Sequence, residues 1–416
     1  MSTKITVPKG TYDVLPDQQA ARDRLEAAAR KILEGAGYRR IETPTFEATE
    51  LFARGVGAST DIVQKEMYSF DDGGGRSLTL RPEGTAPVAR AYMEHGMHKA
   101  PQPVKLWYLS SFFRAEKPQA GRFRQFWQVG AEAIGSDDPA VDAESIVLLR
   151  DLLEELGVEG TRLRLGSLGT PETRAQYRET LIAYLKQHED RLSEDVRARI
   201  ELNPLRAFDS SHPGTAEVMA AAPRLLDALS PDDAEHFATV RELLDLAEVD
   251  YEIDTTLVRG MDYYTRTVFE FTSDALGAQS GVGGGGRYDG LIEMLGGPAT
   301  PGIGWAAGVE RILLAAGDDQ RHPEPIVDLF VAYEPDAKAA AFAIAHGARH
   351  AGMTAQMELS GRSLKGQRKQ ADRVKARWLA VVTAAGATLR DMQTHDEVDV
   401  AHDAVVARAL REGGLG

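Results

Sequence analysis

The stretch that decides the fold is VKLWYLSSFFRAEKPQAGRFRQFWQVGAEA, residues 104–133. Hydrophobic and polar side chains alternate along both of its arms, and turn-forming residues at 117–121 separate them, so the stretch predicts a long antiparallel hairpin. One face of the second arm carries Arg124, Phe126, Gln128 and Glu132. A row of polar groups on one face of a strand indicates either a solvated surface or a site, and the strand alone favours solvent.

The segments around the hairpin predict further helices and strands of one large unit. Helical periodicity indicates helices at 16–35 and 138–157, and residues 170–248 form a strongly charged, helix-rich stretch typical of an insertion. Strand patterns lie at 38–46 and 255–272, and two short helices are predicted at 291–295 and 302–315. Because Pro44 cannot donate to a sheet, we expect the strand at 38–46 to lie at an edge or an interface.

The last part of the chain predicts a small α/β domain. A linker rich in proline and charge, residues 321–325, precedes it. Strands at 326–333, 353–359 and 376–383 then alternate with helices at 336–350, 361–373 and 402–412. The expected domains are therefore 1–322, including the insertion at about 170–248, and 323–416.

Composition limits the classes of function. The 416 residues are 43% hydrophobic and 27% charged, which is typical of a globular protein. The chain has no cysteine, and this excludes disulfides, cysteine nucleophiles and thiolate metal sites and suits a reducing compartment. The N-terminal residues have no apolar run, and apolar stretches such as 378–385 are too short to span a bilayer. We expect a cytoplasmic protein with no membrane partner.

Net charge has to be counted by segment. The whole chain has 48 Lys+Arg and 63 Asp+Glu, a net charge of −15, which argues against a nucleic-acid partner. Residues 323–416, however, hold 12 basic and 12 acidic residues, and residues 362–377 hold seven basic residues and one acidic residue. This local excess of six positive charges is the kind of surface that binds a phosphate backbone.

The glycine-rich segment at 280–290 is open to several interpretations. Gly281, Gly283 and Gly286 formally satisfy G-x-G-x-x-G after a strand, as in nicotinamide-dependent oxidoreductases. A dinucleotide site also needs a second strand beyond the following helix, and none is predicted here. The alternatives are close approach of another ligand or backbone, or a tightly packed turn of the core.

Three further segments combine groups that could carry chemistry. Thr85 can cap the helix predicted after it, whereas Glu83 has no apparent capping role. Residues 259–264 place a guanidinium, a carboxylate and two phenols close together, which is also common in surface networks. Arg311, on a predicted helix, is by default a solvated residue.

In combination, these segments resemble a known family. Residues 113–116 with 125–132 resemble the second signature motif of class II aminoacyl-tRNA synthetases, residues 302–311 resemble the third, and the segment ending at 42–44 resembles the first. Residues 257–264, 284–289, 8–13 and 203–206 are similar to segments peculiar to the histidyl-tRNA synthetase family. Residues 363–365 and 371–373 are similar to its anticodon-binding domain.

The resemblance implies a fold, a reaction and partners. The expected fold is an α+β catalytic core with a mainly antiparallel sheet, a helical insertion and a C-terminal α/β anticodon-binding domain. The implied enzyme activates L-histidine with ATP and Mg²⁺ and transfers it to tRNA(His). The motif-1 proline implies a homodimer, and no resident metal site is expected.

The resemblance also implies roles for single residues. Arg114 would bind the α-phosphate and Arg259 would bridge it to the histidine carboxylate, as the catalytic pair. Residues expected at the ATP are Arg114, Glu116, Phe126 and Arg311. Residues expected at histidine are Glu83, Thr85, Gln128, Glu132, Arg259, Tyr263, Tyr264 and Tyr288. Residues expected at the tRNA are Gln119, Arg122, Arg124, Arg362, Lys365, Arg368 and Lys369.

Two departures and one close rival accompany the resemblance. Arg266 stands where the family commonly has glycine, and Trp127 stands where many members have His or Tyr. Trp127 should face away from the site, so we expect altered packing rather than lost activity. The rival is the synthetase-like regulatory subunit of ATP phosphoribosyltransferase, which generally lacks the anticodon domain and parts of the segment 259–264.

Overall fold

The computed structural model describes residues 4–57, 60–119, 121–257, 261–277, 280–317 and 327–413. The chain divides into two compact units, Met1–Arg321 and His322–Gly416. Within the described ranges, no helix combines the length and apolar character that crossing a membrane requires. The α-helices of the first unit are α1 Pro16–Gly35, α2 Thr49–Gly55, α3 Thr85–Glu94, α4 Pro139–Glu155, α5 Pro171–Gln187, α6 Glu194–Arg199, α7 Pro213–Ala220, α8 Pro231–Leu246, α9 Leu291–Met294 and α10 Val309–Ala315.

The first unit is built on an eight-stranded sheet and a smaller three-stranded sheet. Its strands are β1 Arg39–Arg40, β2 Phe46–Ala48, β3 Tyr68–Asp71, β4 Ser77–Leu80, β5 Val104–Phe113, β6 Gln125–Ile134, β7 Thr161–Ser167, β8 Glu252–Ile253, β9 Thr265–Ser273, β10 Gly281–Arg287 and β11 Gly302–Gly308. The large sheet has the order β1-β5-β6-β11-β10-β9-β7-β8, and β2-β4-β3 form the small one. The pairs from β5 to β7 are antiparallel, and only the edge pairs of the large sheet are parallel.

The predicted hairpin is confirmed. β5 and β6 are antiparallel with Trp107 opposite Ala131 and Leu106 opposite Glu132. Trp107 and Ala131 are buried in the hydrophobic core that the sheet shares with α1, α4 and α8. Because side chains alternate along a strand, Glu132 lies on the opposite face, in the direction of the candidate site.

The glycine-rich segment forms a strand rather than a turn, so the dinucleotide interpretation is wrong. β10 lies between β9 and β11, and both pairings are antiparallel. The helix predicted over 302–315 is also wrong in its first half, which is β11. A Cβ atom on Gly285 would lie 1.9 Å from the carbonyl oxygen of Gly304, so the two backbones approach too closely for side chains at this point.

The strand predicted at 38–46 is interrupted. Its first residues form β1 at the edge of the large sheet, and its end belongs to β2 in the small sheet. Pro44 lies between the two strands, which agrees with its inability to donate to a ladder. Of the strand predicted at 255–272, the structure has β9 at Thr265–Ser273, and residues 258–260 lie outside the described residues.

The helix-rich stretch has two parts that pack differently. Helices α5 to α7 and short 3-10 turns enclose a core of their own, which includes Tyr177, Leu181 and Val218. Helix α8 instead packs against α4 and buries Phe237 and Val240 in the main core. The part of the stretch with a separate core therefore ends before α8.

The second unit is a five-stranded sheet with helices. Its strands are β12 Leu329–Tyr333, β13 Ala355–Met357, β14 Trp378–Val382, β15 Ala387–Asp391 and β16 Glu397–Val400, in the order β13-β12-β14-β15-β16. Its α-helices are α11 Lys338–His350, α12 Leu364–Arg373 and α13 Val405–Gly413, close to the predicted ranges. The sequence patterns did not predict β15 and β16, which extend the sheet as an antiparallel pair.

Candidate active site

A cavity of about 1050 Å³ opens over strands β6, β10 and β11 of the first unit. Four of the residues expected at ATP, and one expected at histidine, line it together. These are Arg114, Glu116, Phe126, Arg311 and Gln128. The hairpin loop supplies the first two, β6 supplies Phe126 and Gln128, and α10 supplies Arg311. We call Arg114, Glu116, Phe126 and Arg311, with the neighbouring Arg122, the basic end of the site.

Cations and one aromatic ring characterise the basic end. The Nε of Arg114 donates to the carbonyl of Pro82 at 2.9 Å, and its guanidinium carbon lies 5.3 Å from the centre of the Phe126 ring. Arg122 pairs with Glu116 at 3.4 Å. Burial and the nearby charge of Arg122 lower the pKa of Arg311, so Arg311 is not the solvated helix residue that its sequence position suggested. Partly desolvated guanidinium groups at a cavity wall favour a polyanionic ligand.

The other residues expected at histidine that the structure describes do not line this cavity. They cluster around Glu132, on the same face of β6 beyond Gln128, and we call this cluster the acidic end: Glu83, Thr85, Glu132, Tyr263, Tyr264 and Tyr288. Glu132 is fully buried and accepts hydrogen bonds from the hydroxyls of Tyr288 at 2.7 Å and Thr85 at 2.8 Å. Burial raises the pKa of Glu132 to about 8. A Cβ atom on Gly304 would lie 1.8 Å from its carboxylate, so the glycine of β11 provides the space for this side chain.

The structure reverses the capping roles that the sequence suggested for Glu83 and Thr85. The carboxylate of Glu83 accepts from the backbone amides of Thr85 at 2.7 Å and Ala86 at 3.0 Å, and it therefore caps α3. Thr85 begins the helix and donates its hydroxyl to Glu132 instead. Burial raises the pKa of Glu83.

Three tyrosines enclose the acidic end. The rings of Tyr263 and Tyr264 are 4.7 Å apart, and those of Tyr263 and Tyr288 are 6.0 Å apart. Burial raises the pKa values of Tyr263 and Tyr288 well above the usual range, so both remain protonated donors. The hydroxyl of Tyr263 lies 2.7 Å from the sulfur of Met261, whereas that of Tyr288 is committed to Glu132.

Gln128 lies between the two ends and carries an acceptor that the described residues leave without a hydrogen-bond partner. Its Oε1 is buried although the side chain lines the cavity. Because a buried polar atom without a partner is costly, this oxygen is suited to a donor on a ligand. With Glu132 buried on the same face of β6, the solvated-surface interpretation of this strand is wrong.

Comparisons with known proteins show the family to which the chain belongs. A model of the histidyl-tRNA synthetase family matches residues 10–312. The histidine–tRNA ligase of Halorhodospira halophila is 50% identical over 399 residues, which is 93% of each chain. The chain belongs to the histidyl-tRNA synthetase family. The histidine–tRNA ligase of Desulforudis audaxviator is 47% identical over 98% of this chain and 99% of its own.

The fold also agrees with this family. A crystal structure of apo histidyl-tRNA synthetase from S. aureus has a TM-score of 0.80 and 34% identity, and it covers 97% of this chain and 99% of that one. The antiparallel core sheet of the first unit is therefore the class II synthetase fold. Arg259, which was expected from the family resemblance to be catalytic, lies outside the described residues.

The residues that the family resemblance assigns to tRNA lie in two places. In the hairpin loop, Gln119 and Arg122 form a tight turn through reciprocal backbone hydrogen bonds at 3.2 and 2.9 Å, and the Nε of Arg124 donates to the carbonyl of Glu116 at 3.3 Å. In the second unit, Lys365, Arg368 and Lys369 are exposed on α12. Arg362 precedes this helix and pairs with the buried Glu358 at 3.0 Å.

Two residues of the site were not singled out by the sequence patterns. Arg287 is fully buried, pairs with Asp142 and with Asp289 at 3.1 Å, and so fixes the backbone next to Tyr288. Its position in the sequence, between a run of glycines and Tyr288, was a signal that could have identified Arg287 as part of the site. Tyr108 lies 3.5 Å from Glu132, and alternation along β5 placed it on the same face of the sheet. Trp127 faces away from the cavity, as predicted, against Arg22.

Proposed function

We propose that this chain is a histidine–tRNA ligase of class II, which activates L-histidine with ATP and transfers it to the 3′ end of tRNA(His). One observation carries this proposal: on one face β6 presents Phe126 and Gln128 at the cavity and, beyond them, the buried Glu132, and so connects the basic end with the acidic end. The basic end suits a nucleotide triphosphate. The acidic end suits a small ligand with an ammonium group and ring nitrogens.

In the first step, a carboxylate oxygen of histidine attacks the α-phosphorus of ATP. The new oxygen–phosphorus bond forms as the bond to the bridging oxygen of the β-phosphate breaks, and pyrophosphate leaves. Two anions must approach each other, so catalysis rests on positioning and fixed positive charge, and no protein nucleophile is needed. We assign Arg114, and by its family motif Arg259, to the α-phosphate.

Magnesium enters this reaction with the MgATP substrate. Among the described residues, no group of three or more histidine, aspartate or glutamate side chains could hold a metal ion alone. The carboxylates of Glu66 and Glu270 line the cavity and are hard oxygen donors of the kind that Mg²⁺ accepts beside phosphate oxygens. Phe126 and Arg311 would enclose the adenine ring, and Glu116 would contact it.

The acidic end is proposed to select histidine. Gln128, Glu83 and Thr85 would accept or orient the ammonium group. Glu132 and Tyr264 would pair with the imidazole nitrogens, with Tyr263 and Tyr288 closing the pocket. A site with buried polar groups rejects a ligand that cannot pair with them, and discrimination of about 10⁴-fold or more is attainable without editing.

In the second step, a hydroxyl of the terminal ribose of the tRNA attacks the carbonyl carbon of the adenylate, and AMP leaves. Gln119, Arg122 and Arg124 are on the loop next to the basic end and would contact the acceptor end. The exposed cations Lys365, Arg368 and Lys369, with Arg362, would bind the anticodon arm. The enzyme would act in the cytoplasm, where its tRNA substrate is used.

A homodimer is supported by the small sheet of the first unit. Phe46 and Phe70 are 50% and 45% exposed on it, with ring centres 6.2 Å apart, and Pro44 of motif 1 precedes β2. Exposed aromatic pairs of this kind are typical of an interface. A second copy of the chain is the proposed partner, and the molar mass from light scattering tests it.

ATP–pyrophosphate exchange with each amino acid in turn tests the proposed function. We expect exchange with histidine only, followed by charging of tRNA(His). Histidine binding without exchange would contradict the proposal and favour the regulatory subunit of ATP phosphoribosyltransferase. The α/β second unit, which that protein generally lacks, favours the ligase.

A further inference from the structure

The N-terminal residues 8–12, which we call the strap, have no role in the function described so far. The strap forms a tight turn in which the amide of Thr11 donates to the carbonyl of Pro8 at 3.0 Å. Gly10 has a φ of +88°, and a Cβ atom there would lie 2.8 Å from Cγ of Pro118 in the hairpin loop. The turn and the close approach both require glycine at this position.

The strap contacts the hairpin loop directly. The backbone amide of Arg124 donates to the carbonyl of Gly10 at 2.7 Å, and the ring of Tyr12 lies 4.5 Å from the ring of Phe123. Both contacts are made at the point where the loop enters β6. The strap therefore supports the backbone just before Phe126.

Beyond this contact, the strap reaches a buried carboxylate on α10. Tyr12 donates its hydroxyl to Glu310 at 2.7 Å, and Arg22 of α1 pairs with the same carboxylate at 2.8 Å. Glu310 also accepts from the backbone amide of Trp127 at 3.0 Å. The side chains of Glu310 and Arg22 are 7% and 13% exposed. At this burial, the charge-assisted contacts are screened little by water.

The position of Glu310 connects the two residues that are assigned to the faces of adenine. Glu310 precedes Arg311 on α10, and its partner Trp127 follows Phe126 on β6. We propose that Glu310 is a positioning residue that sets the separation of Phe126 and Arg311. The strap holds the Glu310 carboxylate in place through the hydrogen bond from Tyr12. The identity of the nucleotide rests on the proposed function, whereas the contacts of Glu310 do not.

The experiment compares Glu310→Gln and Tyr12→Phe with the parent protein. Calorimetry measures the Kd of MgATP without histidine, and pyrophosphate exchange measures kcat and KM for each substrate. Glu310→Gln removes the charge that pairs with Arg22, so we expect the Kd of MgATP to rise about tenfold. Tyr12→Phe removes the hydroxyl that donates to Glu310 and accepts from Arg22 but keeps the charge pair, so we expect a rise of about threefold. The KM for histidine should stay within about twofold, because the acidic end is untouched.

Tyr184→Phe is the matched control, because Tyr184 donates to the carbonyl of Val218 at 2.9 Å within the insertion. It should leave the Kd of MgATP unchanged. If the strap acts through Glu310, the double variant should bind MgATP no more weakly than Glu310→Gln alone, since coupled residues are not additive. Additive losses would indicate two unrelated structural defects.

Two results would overturn the inference: an unchanged Kd of MgATP in Tyr12→Phe, or a parallel rise in KM for histidine and Kd for MgATP. Should Glu310→Gln fail to fold, the Tyr12→Phe result alone decides. A parent protein that binds MgATP but exchanges with no amino acid would contradict the proposed function and leave the test of Glu310 intact.

Discussion

At the acidic end of the site, Glu132 is fully buried and already accepts hydrogen bonds from Tyr288 and Thr85, whereas at the basic end Arg122 keeps 41% of its side chain exposed. The acidic end is fixed by a network of neutral and protonated groups, most of which already have a hydrogen-bond partner within the protein. The basic end consists of cations that water still reaches.

The ligands proposed for the two ends account for this difference. A polyanion carries several charges that separate cations can bind with nearly independent contributions, and salt screens them. A small amino acid has few polar groups that a site can recognise. Selectivity therefore needs buried partners in the protein, because water cannot replace a missing hydrogen bond there. We therefore expect changes at the acidic end to cost more than changes at exposed cations.

Glu132→Gln gives the largest expected effect. The amide keeps the size of the side chain but turns an NH₂ group toward the donors Tyr288 and Thr85 or toward the imidazole. We expect kcat/KM for histidine in pyrophosphate exchange to fall by about 10³-fold or more, because a site of buried polar partners tolerates no mismatch. The Kd of MgATP should stay within about twofold.

Glu144→Gln is the control, since it makes the same change at a carboxylate of α4, which pairs with Lys105 at 2.6 Å. It should leave both constants unchanged. A Glu132→Gln enzyme with normal histidine kinetics would break the comparison, because the acidic end would then not select the substrate.

The same substitution predicts a smaller effect on stability. Burial raises the pKa of Glu132 to about 8, so between its ordinary pKa and 8 the folded chain binds more protons than the unfolded chain. Stability therefore falls as pH rises through this window, with a limiting slope of about 1.4 kcal/mol per pH unit for one proton. Gln cannot ionise, so the variant should gain stability relative to the parent from pH 5 to 8.

Urea unfolding midpoints of both proteins at four pH values measure this difference. Glu83 is present in both proteins, and because its charge contributes to the raised pKa of Glu132, the difference between the profiles includes the interaction of these two carboxyl groups. Parallel stability profiles would show that Glu132 is ionised in the folded chain and that the acidic end is less desolvated than its burial suggests.

Much of this site could be predicted from sequence because it lies on a regular strand. The period of two along 122–133 placed Phe126, Gln128 and Glu132 on one face, which the structure confirms. The period of two could not show whether this face of β6 is a solvated surface or a binding site, because that depends on which other parts of the chain cover it. The neighbouring strand β11, whose Gly304 leaves room for the Glu132 carboxylate, was itself predicted as part of a helix.

The residues GIGWAAG of β11 have little intrinsic preference, and tertiary contacts decide their conformation. Gly304 and Gly285 must be small because Glu132 and a neighbouring backbone occupy the space of their side chains. Likewise, sequence offered both Glu83 and Thr85 as polar groups before α3. Which of them caps the helix depends on the burial of Glu132 beside Thr85, and no local pattern contains that information.

The exposed cations of α12 extend the comparison to the second unit. Arg368→Ala and Lys369→Ala should each raise the KM for tRNA by about threefold and leave pyrophosphate exchange unchanged, because each removes one screened phosphate contact. The double variant should also reduce the dependence of log KM on log salt concentration, by about 1.5.

Lys338→Ala is the control, because Lys338 is an exposed cation on α11 outside the basic segment 362–377. If it raised the KM for tRNA as much as the α12 variants do, the effect would reflect net charge alone. A rise of more than about 30-fold in the KM for tRNA of one α12 variant would contradict the comparison, because one exposed cation would then contribute as much as a buried group of the acidic end.

Arg266 tests how far the rigidity of the acidic end depends on its backbone. It follows Tyr264 by two residues, has a φ of +41°, and its Nε pairs with Asp233 of α8 at 2.9 Å. The side chain of Asp233 is fully buried and also accepts from Thr173 at 2.7 Å. Arg266 therefore occupies a backbone conformation that favours glycine, but its side chain makes an ion pair that glycine cannot make.

Arg266→Gly and Arg266→Ala separate these two effects. Both variants lose the pair with Asp233, but only alanine retains the left-handed strain, which costs about 1 kcal/mol. We expect both to unfold at lower urea concentration than the parent, with the alanine variant about 1 kcal/mol less stable than the glycine variant. Equal stabilities of the two variants would show that the backbone at 266 is unstrained. The KM for histidine of the two variants sharpens the comparison. If this KM rises in the alanine variant but not in the glycine variant, the backbone conformation at 266, rather than the ion pair, keeps Tyr264 in place.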